Sequence, residues 1–353
     1  MNKITKIVLV LFTSLSMSLS AFAGELSVTG SAKASYAIGG STSGSKGIGI
    51  SNEFTLSAVG ELDNGYTWKY AVDFDPNAGA TTTANDDQKL VFGTPYGAVG
   101  IYVSEGGLSK EYGYGIGAVG PGNDYAGTMT RHFGDDMSSY ENVQYHTPSG
   151  LLPYNTTVKV GIAPNMSSSA SSDFKTKGAA ETGLKGTRAQ MYQIVSSPMD
   201  GLEVGLSYFE TNGGHAKQTP TSGDAYVKYA MGAFTLGYGR NYSDETLDAD
   251  KESGTSQYNN SSMGVQFAVN DALSVSYSRD KAQKRINQGF LDGAGADATR
   301  AKTSDESTVQ YYQAAYNIGG ATLGIARVAT DDTAYTSGAA DTTLTLFTIA
   351  MAF

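Results

Sequence analysis

The chain has 353 residues, with 44 Gly, 23 Tyr, 8 Pro, one Trp and no Cys, and a formal net charge of −10. The lack of Cys excludes disulfides and cysteine-ligated metals. The acidic balance excludes a general nucleic-acid binder, which needs a basic stripe. Many Gly and Tyr with few Pro suit short strands, turns and aromatic belts better than helices, and one all-β unit can run to this length.

Residues 1–23 read as a secretory signal peptide: Lys3 and Lys6, then a serine-diluted apolar segment over Ile7–Leu19, then Ala21-Phe22-Ala23 as the cleavage site. Without its two lysines the net charge moves from −10 to −12, since these residues hold no acid. After Ala23 no apolar run approaches the roughly 20 residues of a spanning helix. The remaining chain, 24–353, is therefore either exported and soluble or a single β-barrel whose membrane signal lies in alternation.

Alternation is present from the start. Leu26, Val28, Ala32, Ala34, Tyr36 and Ile38 fall on one face, and Ser27, Thr29, Ser31, Lys33 and Ser35 on the other. Residues 48–62 repeat the pattern, Asp63-Asn64-Gly65 signals a tight hairpin, and Tyr66, Trp68, Tyr70, Val72 and Phe74 alternate against Thr67, Lys69, Ala71 and Asp73. Further strands are expected near 88–94, 98–104, 139–147, 155–163, 187–197, 202–210, 224–231, 234–243, 257–269, 272–280, 305–317, 321–330 and 341–353. That makes about sixteen.

The connections alternate between short turns and long polar segments, as up-and-down strands with periplasmic turns and external loops require. Two sandwiches would need a linker, and a solenoid a fixed repeat; neither is visible. The fold class expected is all-β, a transmembrane antiparallel barrel of about sixteen strands. Tyr66, Tyr70, Tyr145, Tyr229, Phe234, Tyr277 and Tyr316 read as aromatic girdles, whereas Tyr102 and Tyr226 fall on the inward parity.

The longest interval without a strand pattern is 105–138, glycine-rich and acidic. A loop this long in a compact domain is usually functional, and it is expected to fold into the bore and narrow it. Its acids Glu105, Glu111, Asp124, Asp135 and Asp136 are the candidate constriction anions. Lys33, Lys69, Lys89 and Lys159 on polar strand faces, with Arg131 near the loop exit, are the candidate cations. Net acidity favours mild cation preference.

Gly115–Gly120 matches G-x-G-x-x-G but lacks the strand–helix setting of a nucleotide site, and Pro121-Gly122 follows, so it reads as loop flexibility. The histidines are His132, His146 and His215; no nucleophile elbow, zinc or Walker pattern accompanies them, so no enzyme is expected. The acidic stretch Asp244–Glu252 has oxygen ligands for Ca²⁺ but not EF-hand spacing, and reads as a solvated external loop; no other cofactor is expected.

Three stretches carry a family likeness: Gly60–Tyr70, Val91–Ile101 and Ser139–Pro148. In order and spacing they resemble the hairpins and the post-loop strand of Gram-negative general porins. That resemblance implies sixteen strands, a homotrimer in the outer-membrane bilayer, and a third loop, after the fifth strand, bent into the channel. It also implies passage of small hydrophilic solutes. The last strand, with apolar residues at every second position back from Phe353, resembles the segment read by the outer-membrane barrel assembly machinery. Where many relatives carry an arginine, this chain has Ser104 and Glu105, which weakens the expected basic eyelet. A substrate-selective pore and a plugged-barrel adhesin or structural protein are the alternatives.

Overall fold

A computed structural model describes residues 25–40, 45–74, 85–119, 134–164, 188–212, 219–244, 254–287, 302–335, 338–339 and 341–353. The expected signal peptide lies outside them. Sixteen strands form among the described residues: β1 (Glu25–Gly40), β2 (Lys46–Glu61), β3 (Thr67–Phe74), β4 (Asn85–Thr94), β5 (Gly97–Val103), β6 (Asn142–His146), β7 (Thr157–Ala163), β8 (Arg188–Met199), β9 (Leu202–Asn212), β10 (Thr221–Met231), β11 (Phe234–Asp244), β12 (Gly254–Ala268), β13 (Leu273–Asn287), β14 (Lys302–Ile318), β15 (Ala321–Asp331) and β16 (Thr342–Ala352). Each pairs antiparallel with its chain neighbours, and β16 pairs with β1 to close a barrel. Phe353 completes the seam, its N–H and C=O exchanging hydrogen bonds of 2.9 and 2.8 Å with Gly30.

Turn chemistry sets the register at the short end. After β2, the Leu62 N–H donates to the Tyr66 carbonyl at 2.7 Å, and Gly65 takes φ +78°, as the Asn-Gly signal predicts. Gly319 and Gly320 take φ +55° and +92° between β14 and β15.

The two faces of the wall invert the pattern of a soluble protein. Large apolar side chains lie exposed on one face, with Ile48 at 87% and Leu26 at 71%, while Asp280 and Gln144 on the other are at 0% and 2%. An apolar surface of this extent needs a non-aqueous neighbour, and a closed strand wall is one of the few structures that can supply it in lipid. The apolar face is therefore outward and the polar face lines the bore.

Three strands run further than their alternation indicates. The pattern predicts a strand over 272–280, but β13 continues to Asn287, and β12 and β14 also begin three residues earlier than expected. Beyond Asp280 the outward residues Lys281, Gln283 and Arg285 are polar, so both faces are wet and the apolar signal vanishes. The backbone ladder continues regardless, helped by a 2.8 Å Lys281–Glu306 ion pair and a 3.0 Å Arg285–Gln257 hydrogen bond.

Candidate functional site: a polar bore with an internal loop

Residues 105–119, which follow β5, lie along the inward face and pass the wall strands in turn. Asn142 on β6 donates to the Glu105 carbonyl at 3.0 Å, and Gln193 on β8 to the Leu108 carbonyl at 2.9 Å. The Lys110 N–H donates to Ser207 on β9 and to Asp224 on β10. Further along, the Gly117, Ala118 and Val119 N–H groups donate to Gln266 on β12 (3.3 Å), Ser276 on β13 (2.8 Å) and Gln313 on β14 (2.7 Å). Buried backbone polar groups need partners, and this loop finds them in the polar side chains that face inward on successive strands. Asn142, Gln193, Ser207, Ser276 and Gln313 are buried in consequence.

The wall is shaved where the loop lies on it. A Cβ at Gly237 would overlap the Tyr114 carbonyl; one at Gly264 would stand 2.8 Å from Ile116, and one at Gly324 2.9 Å from Val119. At Gly161 a Cβ would meet Leu108 and Met137, both at 3.0 Å. These four inward glycines form a seat that the sequence reading did not identify. Its signal was available: glycine at inward-parity positions of otherwise well-formed strands, where glycine weakens a strand and marks close approach.

The return of the loop is fixed by Asp136. Its Oδ1 accepts from the N–H groups of Leu108 (2.7 Å), Ser109 (3.1 Å) and Met137 (2.6 Å), tying the outgoing and returning segments together. Burial raises the Asp136 carboxyl above the ordinary carboxylate range, opposed by the hydrogen bonds from Leu108, Met137 and Ser109 and from Ser138. Beneath this clasp, Leu108, Met137 and Tyr140 pack with Ala163, Ala189, Met191 and Phe209 in a buried apolar cluster.

Placed against this geometry, the expected constriction residues separate. Lys33, Lys69 and Lys159 are on the inward face of β1, β3 and β7, as their parity requires. Lys89, inward on β4, forms an ion pair with Glu105. Glu111 lies on the loop with Ser109 Oγ 3.3 Å from its carboxylate, and Asp135 accepts from the Tyr140 hydroxyl at 3.1 Å. Asp136 serves the loop's own backbone instead of presenting a charge to the bore. Asp124 and Arg131 lie outside the described residues, as does the acidic stretch beyond Asp244. The structure adds the 3.0 Å Lys228–Glu203 ion pair, whose glutamate also accepts from the Tyr226 hydroxyl at 2.8 Å.

Among the described residues, the opposite wall is bare. Ser31, Ser51, Glu53, Thr67 and Lys69 face inward on β1–β3 and are exposed. The bore is thus a polar passage with a loop-lined side and an open side. Charges on the two sides would set a field across it.

No protein-family model and no curated protein matches the sequence. Solved structures do match the fold. An anion-selective porin from Comamonas acidovorans aligns with a TM-score of 0.64 and 13% identity over 94% of this chain and 100% of that one. OmpT of Vibrio cholerae, in a trimer form, gives 0.63 and 12% over 94% and 100%. Salmonella typhi OmpF in complex with daunomycin gives 0.61 and 12% over 94% and 98%.

Proposed function

We propose that this chain, which has the fold of the sixteen-stranded outer-membrane porins, forms a water-filled channel for passive diffusion of ions and small hydrophilic solutes across a Gram-negative outer membrane. The observation that carries the reading is the asymmetry of the bore. A loop hydrogen-bonded to the inward side chains of β8–β10 and β12–β14 leaves the charged and hydroxylated face of β1–β3 accessible to solvent. A sixteen-stranded wall is wide enough to leave such a channel, and the loop lines it without needing catalytic chemistry. Two of the loop-side cations, Lys89 and Lys228, are matched by Glu105 and Glu203, and the chain is acidic overall, which favours mild cation preference. A homotrimer is part of the proposal: the outward faces of β1, β3, β5, β6, β7 and β16 carry no charged side chain, which suits contact between copies. So is delivery of the exported chain to the barrel assembly machinery through the outward Phe347, Ile349, Met351 and Phe353.

The test is single-channel current in a planar bilayer under a KCl gradient. Ohmic steps in groups of three, with a reversal potential of the sign for cation preference, are expected. A correctly folded, heat-modifiable barrel that passes no current would overturn the channel reading in favour of a plugged structural or adhesive barrel.

A further inference from the structure

On the loop-lined side of the bore, two cations lack a counter-charge. Lys110 on the internal loop and Lys159 on β7 lie within electrostatic reach of each other, and Lys110 also lies within reach of Glu203 on β9. Both lysines are half-buried, and among the described residues neither forms an ion pair, whereas Lys89 and Lys228 do. Lys159, Glu203 and Lys228 each stand within four residues of a strand end that meets a short turn, so the group lies on the short-turn side of the bore.

One packing contact places both cations. A Cβ at Gly161 would meet Leu108 at 3.0 Å. Lys159 is the next inward position from Gly161 toward the turn, and Lys110 is the second residue after Leu108. Leu108 is buried in the cluster with Met137 and Ala163, and the N–H groups of Leu108, Ser109 and Lys110 are all hydrogen-bonded. The Lys110 stem therefore leaves a fixed backbone, and the Lys159 stem leaves a paired strand.

The acids on this side are engaged elsewhere. Asp136 serves the loop backbone. Asp224 Oδ2 accepts from the Ser109 hydroxyl at 3.0 Å and the Lys110 N–H at 3.3 Å. It also stands four residues further from the turn than Lys228, which is roughly 13 Å along the strand. Glu203 is taken by Lys228 and the Tyr226 hydroxyl. Opposite Lys159 are His146 and Gln193, neither of them an acid; His146 Nε2 lies 2.8 Å from Gln144 Oε1, and Gln193 donates to the Leu108 carbonyl. Two ammonium groups held near each other and partly out of water repel and lose hydration. An anion between them offsets both terms, and an ammonium, a compact charge with three donors, suits oxygen acceptors.

We infer that Lys110 and Lys159 form a binding station for the oxyanion group, carboxylate or phosphate, of a small solute in transit. The station lies against the loop, away from the open β1–β3 wall, so cations pass while the anion is delayed. A pore site must bind well enough to be entered and weakly enough to be left, and two flexible side chains half in water meet that condition. This names a solute class for the channel proposed above and rests on that reading.

The experiment uses the full-length barrel in a planar bilayer with KCl on both sides, and adds succinate, inorganic phosphate or uncharged succinamide to one side. In wild type, succinate or phosphate should interrupt the current reversibly and at lower concentration from the short-turn side, and succinamide should not. Lys110→Gln and Lys159→Gln should each raise the blocking concentration about tenfold, the lower end of what a hydrogen bond to a charged group contributes. The double variant should lose the interruptions while keeping its heat-modifiability and open-channel steps. Lys281→Gln, which removes the same charge from the outward face, should be interrupted like wild type. Interruption by succinate alone would assign carboxylates, and by phosphate alone phosphates. Equal interruption by succinamide, or undiminished interruption of the double variant, would overturn the inference. A barrel that conducts KCl and is never interrupted overturns this inference alone; one that passes no current overturns the channel reading and this inference with it.

Discussion

Removing the Asp136 carboxylate should loosen the internal loop without opening the barrel. Asp136→Ala orphans three backbone donors at once, those of Leu108, Ser109 and Met137. Leaving a buried donor without its acceptor costs about 1–3 kcal/mol, and the contributions of neighbours do not simply add. Since water reaches part of this site, the three together are taken as about 3 kcal/mol, which raises the population of the locally opened loop roughly 150-fold. The segment stays tethered further along by Gln193, Ser207, Gln266, Ser276 and Gln313. The expected result is a channel of near-normal mean conductance with more current noise and more frequent partial closures in the planar bilayer. Asp136→Asn keeps an Oδ1 acceptor for the same three donors and should record like wild type. An Ala variant as quiet as wild type would refute the clasp. An Asn variant as noisy as Ala would show that charge, not the acceptor, holds the loop.

The same carboxyl gives a pH dependence. Burial raises its pKa in the folded protein, so its contribution to stability is fully present below the unfolded value and is lost as pH rises through the folded one. Asp136→Asn, which cannot ionise, should therefore gain thermal stability relative to wild type as pH is raised from the ordinary carboxylate range. Heat-modifiability gels across pH would measure this, and a pH-independent difference would contradict the burial argument. Glu105→Gln leaves Lys89 unmatched in the bore and should move the reversal potential towards anions, whereas Lys89→Met should move it towards cations. Shifts of the same sign in both would mean the pair does not face the permeation path. Gly237→Val places a side chain where the Tyr114 carbonyl now lies, an overpacking worth about 1–3 kcal/mol. It should leave the barrel heat-modifiable but lower conductance by pushing the loop off the wall, and unchanged conductance would sink the seat.

The wall was legible in the sequence because lipid enforces a strict rule. Wherever a strand crosses hydrocarbon, every second residue must be apolar, and the run Leu26–Ile38 or Phe347–Phe353 states that rule plainly. Where β12–β14 rise above the belt, the constraint is gone: Lys281 and Gln283 are as acceptable outside as Asp280 is inside, and the ladder that continues them is made of backbone groups that carry no sequence signal. Turns were legible for a similar reason, since Gly65, Gly319 and Gly320 provide positive φ that few other residues tolerate.

The site was less legible because a charge is not a location. Parity groups Lys33, Lys69 and Lys89 with the inward face. It could not show that Glu105 would neutralise Lys89, or that Asp136, one residue from Asp135, would turn to the loop backbone. Those outcomes depend on how residues 105–119 lie against strands up to 194 positions away in sequence. What sequence does record is the complementary surface. Gly161, Gly237, Gly264 and Gly324 all have inward parity, on strands otherwise rich in side chains that pair across the sheet. A bare bore would gain nothing from removing those side chains, and each removal weakens its strand by forfeiting packing and adding backbone entropy. The loss is offset only if something lies against the wall. Inward glycines on β7, β11, β12 and β15 therefore record the course of the loop, whose hydrogen bonds to the wall come mostly from its backbone carbonyls and N–H groups and so leave little trace in its own sequence.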